Sequence, residues 1–425
     1  MPHVLYLLGL AVFAQGTSEF MLSGLVAGIA TDLDVSVATA GLLTSAFAVG
    51  MIVGAPAMAT LSLRWSRRKA LLGFLGTFLV VHVVGALSTD FAVLVATRVV
   101  GALANAGFLA VALASAAAMV TPESRARATS ILLSGTTLAC VVGVPAGAVL
   151  GQLWGWRAAF WAVAALSAPA LVAITRTVPD GGGAEAKPSA RSEWSVLRDP
   201  KLLLTLLAGA LVNGATFASF TFLGPIATEA LDLPTMWVPV VLALFGLGAF
   251  AGVTAAGRTA DAWPGRVLVG GGAALVAGWV FLAFPATTMS SPVPALTAVF
   301  LQGALSFAVG ATLIARALAV AERAPTVGSG LATAAFNVGA AVGPWLGGIG
   351  LAGGSAVRAP LFVSTLLALA GVALAAWTLH RTRSAQMGAA GLGQAPDDQE
   401  RDDRRRGDVA EERRGKAGRR QRRDQ

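Results

Sequence analysis

Two charged side chains stand in stretches of this sequence that otherwise exclude charge. Glu19 lies inside residues 10–29 (LAVFAQGTSEFMLSGLVAGI), far from either end, and Arg98 lies inside the apolar run at 91–119. An ionisable group in the middle of a membrane-length apolar segment costs roughly 2.5 kcal/mol or more, so it faces a cavity or a partner and has a task there. A carboxylate so placed can bind and release a proton, because burial disfavours its charged form while a nearby cation favours it. Arginine stays charged and can only be the cation. An unpaired buried charge is heavily penalised, so each of Glu19 and Arg98 needs a partner, and each is a candidate for the other.

Several uncharged groups also fall within apolar runs: Gln15, Asn105, Asn213, Gln302 and Asn337, with Phe217, Phe220 and Phe222 clustered near one of them. An apolar cavity with a few convergent polar groups suits a small, neutral, amphipathic ligand. The same amides also serve as hydrogen bonds between helices. His82 reads as a packing residue, since no second histidine or acid stands at metal-ligand spacing. Cys140 is the one cysteine, so there is no disulfide framework and no cysteine metal site. With no Ser/His/Asp set and no phosphate-binding loop, the chain does not read as an enzyme, and no cofactor is expected.

The elements that must position these residues follow from composition. The chain has 425 residues, 56% hydrophobic and 12% charged, with a mean hydropathy of +0.72, far from a soluble domain. Apolar windows of about 20 residues fall near 4–29, 39–62, 70–88, 91–119, 128–153 and 158–176, then near 201–227, 236–257, 266–284, 293–319, 328–351 and 357–379. The fold class expected is an all-α integral membrane protein of twelve transmembrane helices in two six-helix pseudo-repeats. Its domains are residues 1–176 and 201–380, joined by a linker at 177–200 with a Gly-Gly-Gly run and mixed charges. Residues 381–425, rich in Arg and interspersed with acids, read as a disordered, solvated tail. No nucleic-acid partner is expected.

Lys and Arg concentrate in alternate loops: Arg64, Arg67, Arg68 and Lys69; Arg125 and Arg127; Arg176 to Lys201; Arg258 and Arg266; Arg316 and Arg323. The intervening loops hold Arg157 and Arg358 as their bases, and Asp32, Asp34, Asp90, Glu229 and Asp232 as acids. By the positive-inside rule both termini are cytoplasmic. Glu19 then lies about 15 Å from the outer end of its span and Arg98 about 10 Å below the outer surface, so the two share a depth.

The halves echo each other. The loop after the second span reads ATLSLRWSRRK at 59–69, and that after the eighth reads GRTADAWPGR at 257–266. The fifth span carries Gly135, Gly143, Pro145, Gly147 and Gly151; the eleventh carries Gly339, Gly343, Pro344 and Gly347. Parallel halves of this kind belong to rocking transporters whose substrate site lies between them. Residues 4–380 resemble the major facilitator superfamily and, within it, the twelve-helix drug:proton antiporter branch. Gly257, Asp261, Gly265 and Arg266 match that superfamily's cytoplasmic loop signature. The first copy keeps Arg64, Arg67 and Arg68 but has Leu63 and Ser66 where the signature has an acid and a glycine. The fifth-span glycines are similar to the antiporter signature, with Val144 splitting its Gly-Pro pair. GTSEFML at 16–22, RVVGALANAGFLAVAL at 98–113 and FNVGAAVGP at 336–344 look like the actinobacterial chloramphenicol-resistance exporters.

The resemblance implies a proton-coupled exporter in a bacterial plasma membrane, acting as a monomer on a small-molecule drug, most specifically chloramphenicol. Glu19 and Arg98 would couple the protons, and the proton gradient would supply the energy. An exporter of sugars or nucleosides would share this architecture. A membrane receptor or scaffold without transport would have no use for Glu19 and Arg98.

Overall fold

The computed structural model describes residues 3–62, 65–121, 125–178, 199–259, 263–284, 291–321, 325–352 and 357–392. Among them are twelve helices long and apolar enough to cross a membrane. They are α1 (Val4–Gly24), α2 (Val37–Ala55), α3 (Arg67–Leu87), α4 (Phe91–Ala116), α5 (Ile131–Trp154), α6 (Trp156–Thr177), α7 (Pro200–Phe220), α8 (Thr235–Arg258), α9 (Pro264–Ala283), α10 (Val293–Val320), α11 (Gly330–Ala352) and α12 (Ala359–Arg381). Residues 1–376 form one compact unit. A second unit begins at Trp377; its helix is described through Leu392, with the Arg381 guanidinium 4.1 Å over the Trp377 ring. Arg64, Asp261, most of the 177–200 linker and the tail beyond 392 lie outside the described residues.

Small residues set the spacing of the helices, since no hydrophobic effect drives helices together inside lipid. A Cβ at Gly135 would lie 2.9 Å from the backbone nitrogen of Phe13 on α1. One at Gly143 would run into the Thr17 side chain, and one at Gly16 would lie 3.0 Å from the Ala139 Cβ. The second half repeats this seam. Cβ atoms at Gly339 and Gly343 of α11 would meet the backbone of Ala210 and Gly214 on α7. The antiporter-like glycines of α5 therefore pack on the very helix that carries Glu19.

The sequence reads the first span as one run, but the structure breaks it. The α-helix stops at Phe20, Met21–Gly24 form a 3-10 turn, and Val26–Asp32 resume as α-helix. α7 breaks in the corresponding place, after Phe220. Both breaks lead to a related capping sequence, IATDLD at 29–34 and IATEALD at 226–232. Asp34 and Asp232 take left-handed conformations (φ 51° and 54°), and the next amides, Val35 and Leu233, return to the carbonyls of Ala30 and Ala227, the chain reversal of a left-handed helix cap. A π turn at Ile226–Ala230 absorbs the extra residue of the second copy. A second π turn, Ala139–Gly143, precedes Pro145 in α5, where the missing proline N–H leaves the helix ladder free to widen.

Among the described residues, contacts between the first six and last six spans concentrate toward the end that carries Asp32. Ser45 Oγ donates to the Ala341 carbonyl at 2.7 Å, and Gln152 Nε2 donates to the Thr235 carbonyl at 2.8 Å. The backbone of Gly246 lies against Cys140, and that of Gly224 against Ser23. At the same end Arg157 pairs with Asp32, and its Nη2 donates to Ser88 O at 2.8 Å.

Candidate functional site

α1 places Gln15, Ser18 and Glu19 on one face, because residues three and four apart lie over one another on a helix. The turn at Ser88–Asp90 folds α3 against α4, and the Asp90 carboxylate caps α4 by accepting from the amides of Ala92 and Val93. His82 and Arg98 each stand eight residues from Asp90, so this antiparallel hairpin sets them at matching depth.

Arg98 is 2% exposed. Its Nη1 donates to Ser18 Oγ at 2.8 Å and its Nη2 to the Ser18 carbonyl at 2.9 Å. The guanidinium lies 4.4 Å from the centre of the Phe47 ring on α2. Ser18 Oγ is also 2.6 Å from His82 Nε2, and His82 Nδ1 is 2.7 Å from Phe78 O. The candidate direct pair between Glu19 and Arg98 does not form. Instead both Arg98 terminal nitrogens are engaged by Ser18, one residue along α1, and the buried Nε has no partner. The two charges remain within electrostatic range of each other. Glu19 is half-buried. Among the described residues, its carboxylate makes neither a hydrogen bond nor an ion pair.

Beside Glu19, Phe20 opens an aromatic cluster that joins both halves. Its ring centre is 6.0 Å from Phe217 and 6.4 Å from Phe220. Phe220 lies 4.9 Å from Phe245 on α8, which in turn lies 6.4 Å from Phe307 on α10. These rings, with Cys140, Thr216 and Ala249, enclose a narrow cavity of about 10 Å³, room for roughly one water. A drug-sized ligand needs several hundred Å³, so the rings must part to admit one. A further cavity of about 300 Å³ opens toward the Asp32 end between Leu25, Gln152, Trp156, Pro225 and Val238.

The other sequence candidates scatter. Gln15 is 1% exposed, and neither amide atom has a partner. Asn105 reaches Met51 Sδ at 3.6 Å. Asn213 Nδ2 donates to Phe336 O at 2.7 Å, tying α7 to α11, and Asn337 bonds back to Thr333 O in its own helix. Gln302 binds the Leu275 carbonyl of α9 at 3.0 Å and lies against Gly278, away from the aromatic cluster. Phe222 packs on Gly41 of α2. Phe217 and Phe220 are thus brought to the cavity that Phe20 also lines, while Asn213 and Gln302 work as interhelical ties.

In the loop signature, Arg68 donates to the Thr175 carbonyl at the end of α6, where a cation complements the helix dipole. Arg67 opens α3. Arg266 stacks 4.0 Å over Trp263 beside Gly265, and Gly257 has open space where a Cβ would sit.

Sequence reasoning missed His82 and Ser18 as members of the site. The equal spacing of His82 and Arg98 about Asp90 was the available signal.

Comparisons with known proteins bear on the family and the fold. The model of the Major Facilitator Superfamily matches residues 8–327. A chloramphenicol resistance protein of Streptomyces lividans is 55% identical over 370 residues, 86% of this chain and 94% of that protein. A chloramphenicol efflux pump of Mycobacterium tuberculosis is 30% identical over 350 residues, covering 81% and 85%. Among solved structures, a bacterial homolog of the human lysosomal transporter Spinster superposes with a TM-score of 0.72 at 18% identity, covering 89% of this chain and 96% of that one. Twelve membrane-spanning helices, the family match and these bacterial relatives make this a multi-pass protein of the bacterial plasma membrane, and the chain belongs to the Major Facilitator Superfamily of transporters.

Proposed function

We propose that the protein is a proton-coupled exporter of a small amphipathic antibiotic, chloramphenicol or a related phenicol. The observation that carries the proposal is Glu19: a carboxylate within a span, without a hydrogen-bond or ion-pair partner among the described residues, beside an aromatic cluster shared by both halves. The 55% identity to a chloramphenicol resistance protein supports the choice of substrate, and the phenyl rings of the cluster suit its aromatic ring by offset or edge contact.

The geometry supports the following cycle. Taking both termini as cytoplasmic, the Asp32 end is external, and the contacts gathered there would close the outer side in this state. Drug enters from the cytoplasm and parts Phe20, Phe217 and Phe220. Its presence favours release of the proton from Glu19, and Arg98, one helix face away, steadies the carboxylate that remains. The halves then rock, opening the outer side, where drug leaves and a proton returns to the carboxylate. Protonation removes the charge and lets the empty carrier turn back. Residues 1–176 and 201–380 are the two rocking bundles. The small-residue seams α1–α5 and α7–α11 hold each bundle together.

The test is accumulation of radiolabelled chloramphenicol in an efflux-deficient bacterium expressing wild type or Glu19→Gln. Wild type lowers the intracellular drug and Glu19→Gln does not. Equal drug with and without the wild-type protein overturns the substrate. Full uphill export by Glu19→Gln overturns the proton carrier.

A further inference from the structure

Arg98, Ser18, His82 and the Phe78 carbonyl form a chain in which each hydrogen bond has one permitted direction. Phe78 O can only accept, so His82 Nδ1, 2.7 Å away, must carry a proton. The Arg98 Nη1 can only donate, so Ser18 Oγ accepts from it at 2.8 Å. That leaves the single Ser18 hydroxyl proton, and His82 Nε2 at 2.6 Å is the acceptor for it. The histidine is therefore assigned as the neutral Nδ1–H tautomer. The other tautomer sets the Nδ1 lone pair against the carbonyl lone pairs. The imidazolium leaves the hydroxyl proton without an acceptor and adds a second cation to a chain that ends in Arg98. Ser18, His82 and Arg98 are each 3% exposed or less, so water does not offer easy substitutes for these bonds.

This arrangement decides where the Arg98 charge sits. Released from Ser18, its guanidinium would have a free carboxylate, Glu19, on the adjacent residue of α1. We propose that His82 is a positioning residue for proton coupling: through Ser18 it holds Arg98 near Glu19 but out of direct contact, so that Glu19 stays free to take up a proton. The inference rests on the assignment of Glu19 and Arg98 to proton coupling. Among the described residues, the charged or titratable groups facing this chain are Glu19 on α1, Arg98 on α4 and, further along, Cys140 on α5. α2 contributes the Phe47 ring and α6 the Phe160 ring, 5.7 Å from His82.

Two measurements on the purified full chain test it. The sequence has three histidines, so nitrogen-15 histidine NMR is simple, and the His82 signal is the one missing in His82→Gln. It is expected to report the Nδ1–H tautomer from about pH 5 to about pH 8 and to move in Ser18→Ala. An Nε2–H tautomer, or an imidazolium titrating in that range, overturns the assignment whether or not the protein moves drug. In proteoliposomes, chloramphenicol exchange without a proton gradient is compared with proton-driven accumulation. His82→Leu is expected to lose accumulation about tenfold, keep exchange within about twofold, and need a more acidic donor side, because a cation in contact with Glu19 favours the carboxylate. His82→Gln, whose Oε1 can accept from Ser18, is expected to restore most of the accumulation and the wild-type pH profile. Unchanged accumulation and pH profile in His82→Leu, or equal loss of exchange and accumulation in both variants, overturns the positioning role. Failure of wild type to move chloramphenicol at all defeats the proposed substrate and leaves the NMR result to decide on His82.

Discussion

The α5 glycines should not be equivalent, although a signature treats them alike. Each packs on α1, but an added methyl meets a different kind of atom in each case. At Gly135 it meets fixed backbone, with the Phe13 nitrogen at 2.9 Å and the Gly9 carbonyl also close. At Gly143 it meets the Thr17 side chain, including Cβ at 3.0 Å and Cγ2 at 3.1 Å. At Gly151 it meets the end of Leu25, which can swing aside, and at Gly147 the nearest atom is Met21 Cβ at 3.4 Å, an ordinary contact. Overpacking costs about 1–3 kcal/mol, and Gly→Ala in a helix returns about 0.5–1 kcal/mol. Gly135→Ala, where the backbone cannot yield, should lie at the upper end, a net loss of about 2 kcal/mol, or roughly 30-fold in an equilibrium constant. Gly143→Ala should lose about 1 kcal/mol, and Thr17→Ala should relieve part of that by removing Oγ1 and Cγ2, a coupling visible in a double-mutant cycle. Gly147→Ala should be neutral or slightly stabilising. The assay is the thermal midpoint of each purified variant together with its chloramphenicol accumulation ratio. Equal effects of Gly135→Ala and Gly147→Ala, or a Gly143→Ala defect that Thr17→Ala fails to soften, would refute the packing argument.

Phe220→Ala removes the ring at the centre of the aromatic cluster; at about 1 kcal/mol per aromatic contact, KM for chloramphenicol should rise roughly fivefold with proton dependence intact, and an unchanged KM would remove Phe220 from the binding surface. Asn213→Leu breaks one tie between α7 and α11, worth about 0.6 kcal/mol, so transport should fall less than about threefold; abolished binding would make Asn213 a ligand contact instead. Beyond the end of α1, hydrogen bonding from Arg157, aided by Trp156 Nε1, holds the Asp32 carboxyl below the usual carboxylate range. The ionised form is thus the one favoured by folding, so this contribution is present above about pH 4 and disappears as pH falls through the lowered value. Asp32→Asn should lower the thermal midpoint slightly at neutral pH, consistent with a partly exposed pair worth at most about 1 kcal/mol, and the difference should vanish in acid. A difference that grows on acidification would contradict it.

What the sequence discloses and what it hides divide along one physical line. Glu19 and Arg98 are legible because each interrupts a run of apolar residues, and interruption along the chain is visible to a single sequence. The twelve spans are legible for the same reason. The partner of Arg98 is not, because it depends on the rotation of α1 about its own axis: Ser18 and Glu19 differ by one residue, and packing on neighbouring helices, including the α1–α5 seam at Gly135 and Gly143, sets which of them meets α4. The break after Phe20 is equally hidden, since Met21–Gly24 are as apolar as their neighbours, and the signal lies further on, in the repeated IATDLD and IATEALD caps. The same repeat explains why the proposed proton site would be confined to one half. Gly143 meets Thr17 as Gly343 meets Gly214, so Glu19 of α1 corresponds to Thr216 of α7. Thr216 lines the aromatic cavity but satisfies its hydroxyl on the Val212 carbonyl of its own helix. Two packing seams of one design therefore carry an unpartnered carboxylate on α1 and a self-satisfied hydroxyl on α7. In the proposed rocking mechanism, the titratable carboxylate would belong to the first bundle, and the second would supply most of the aromatic surface, Phe217, Phe220, Phe245 and Phe307, against Phe20 of the first.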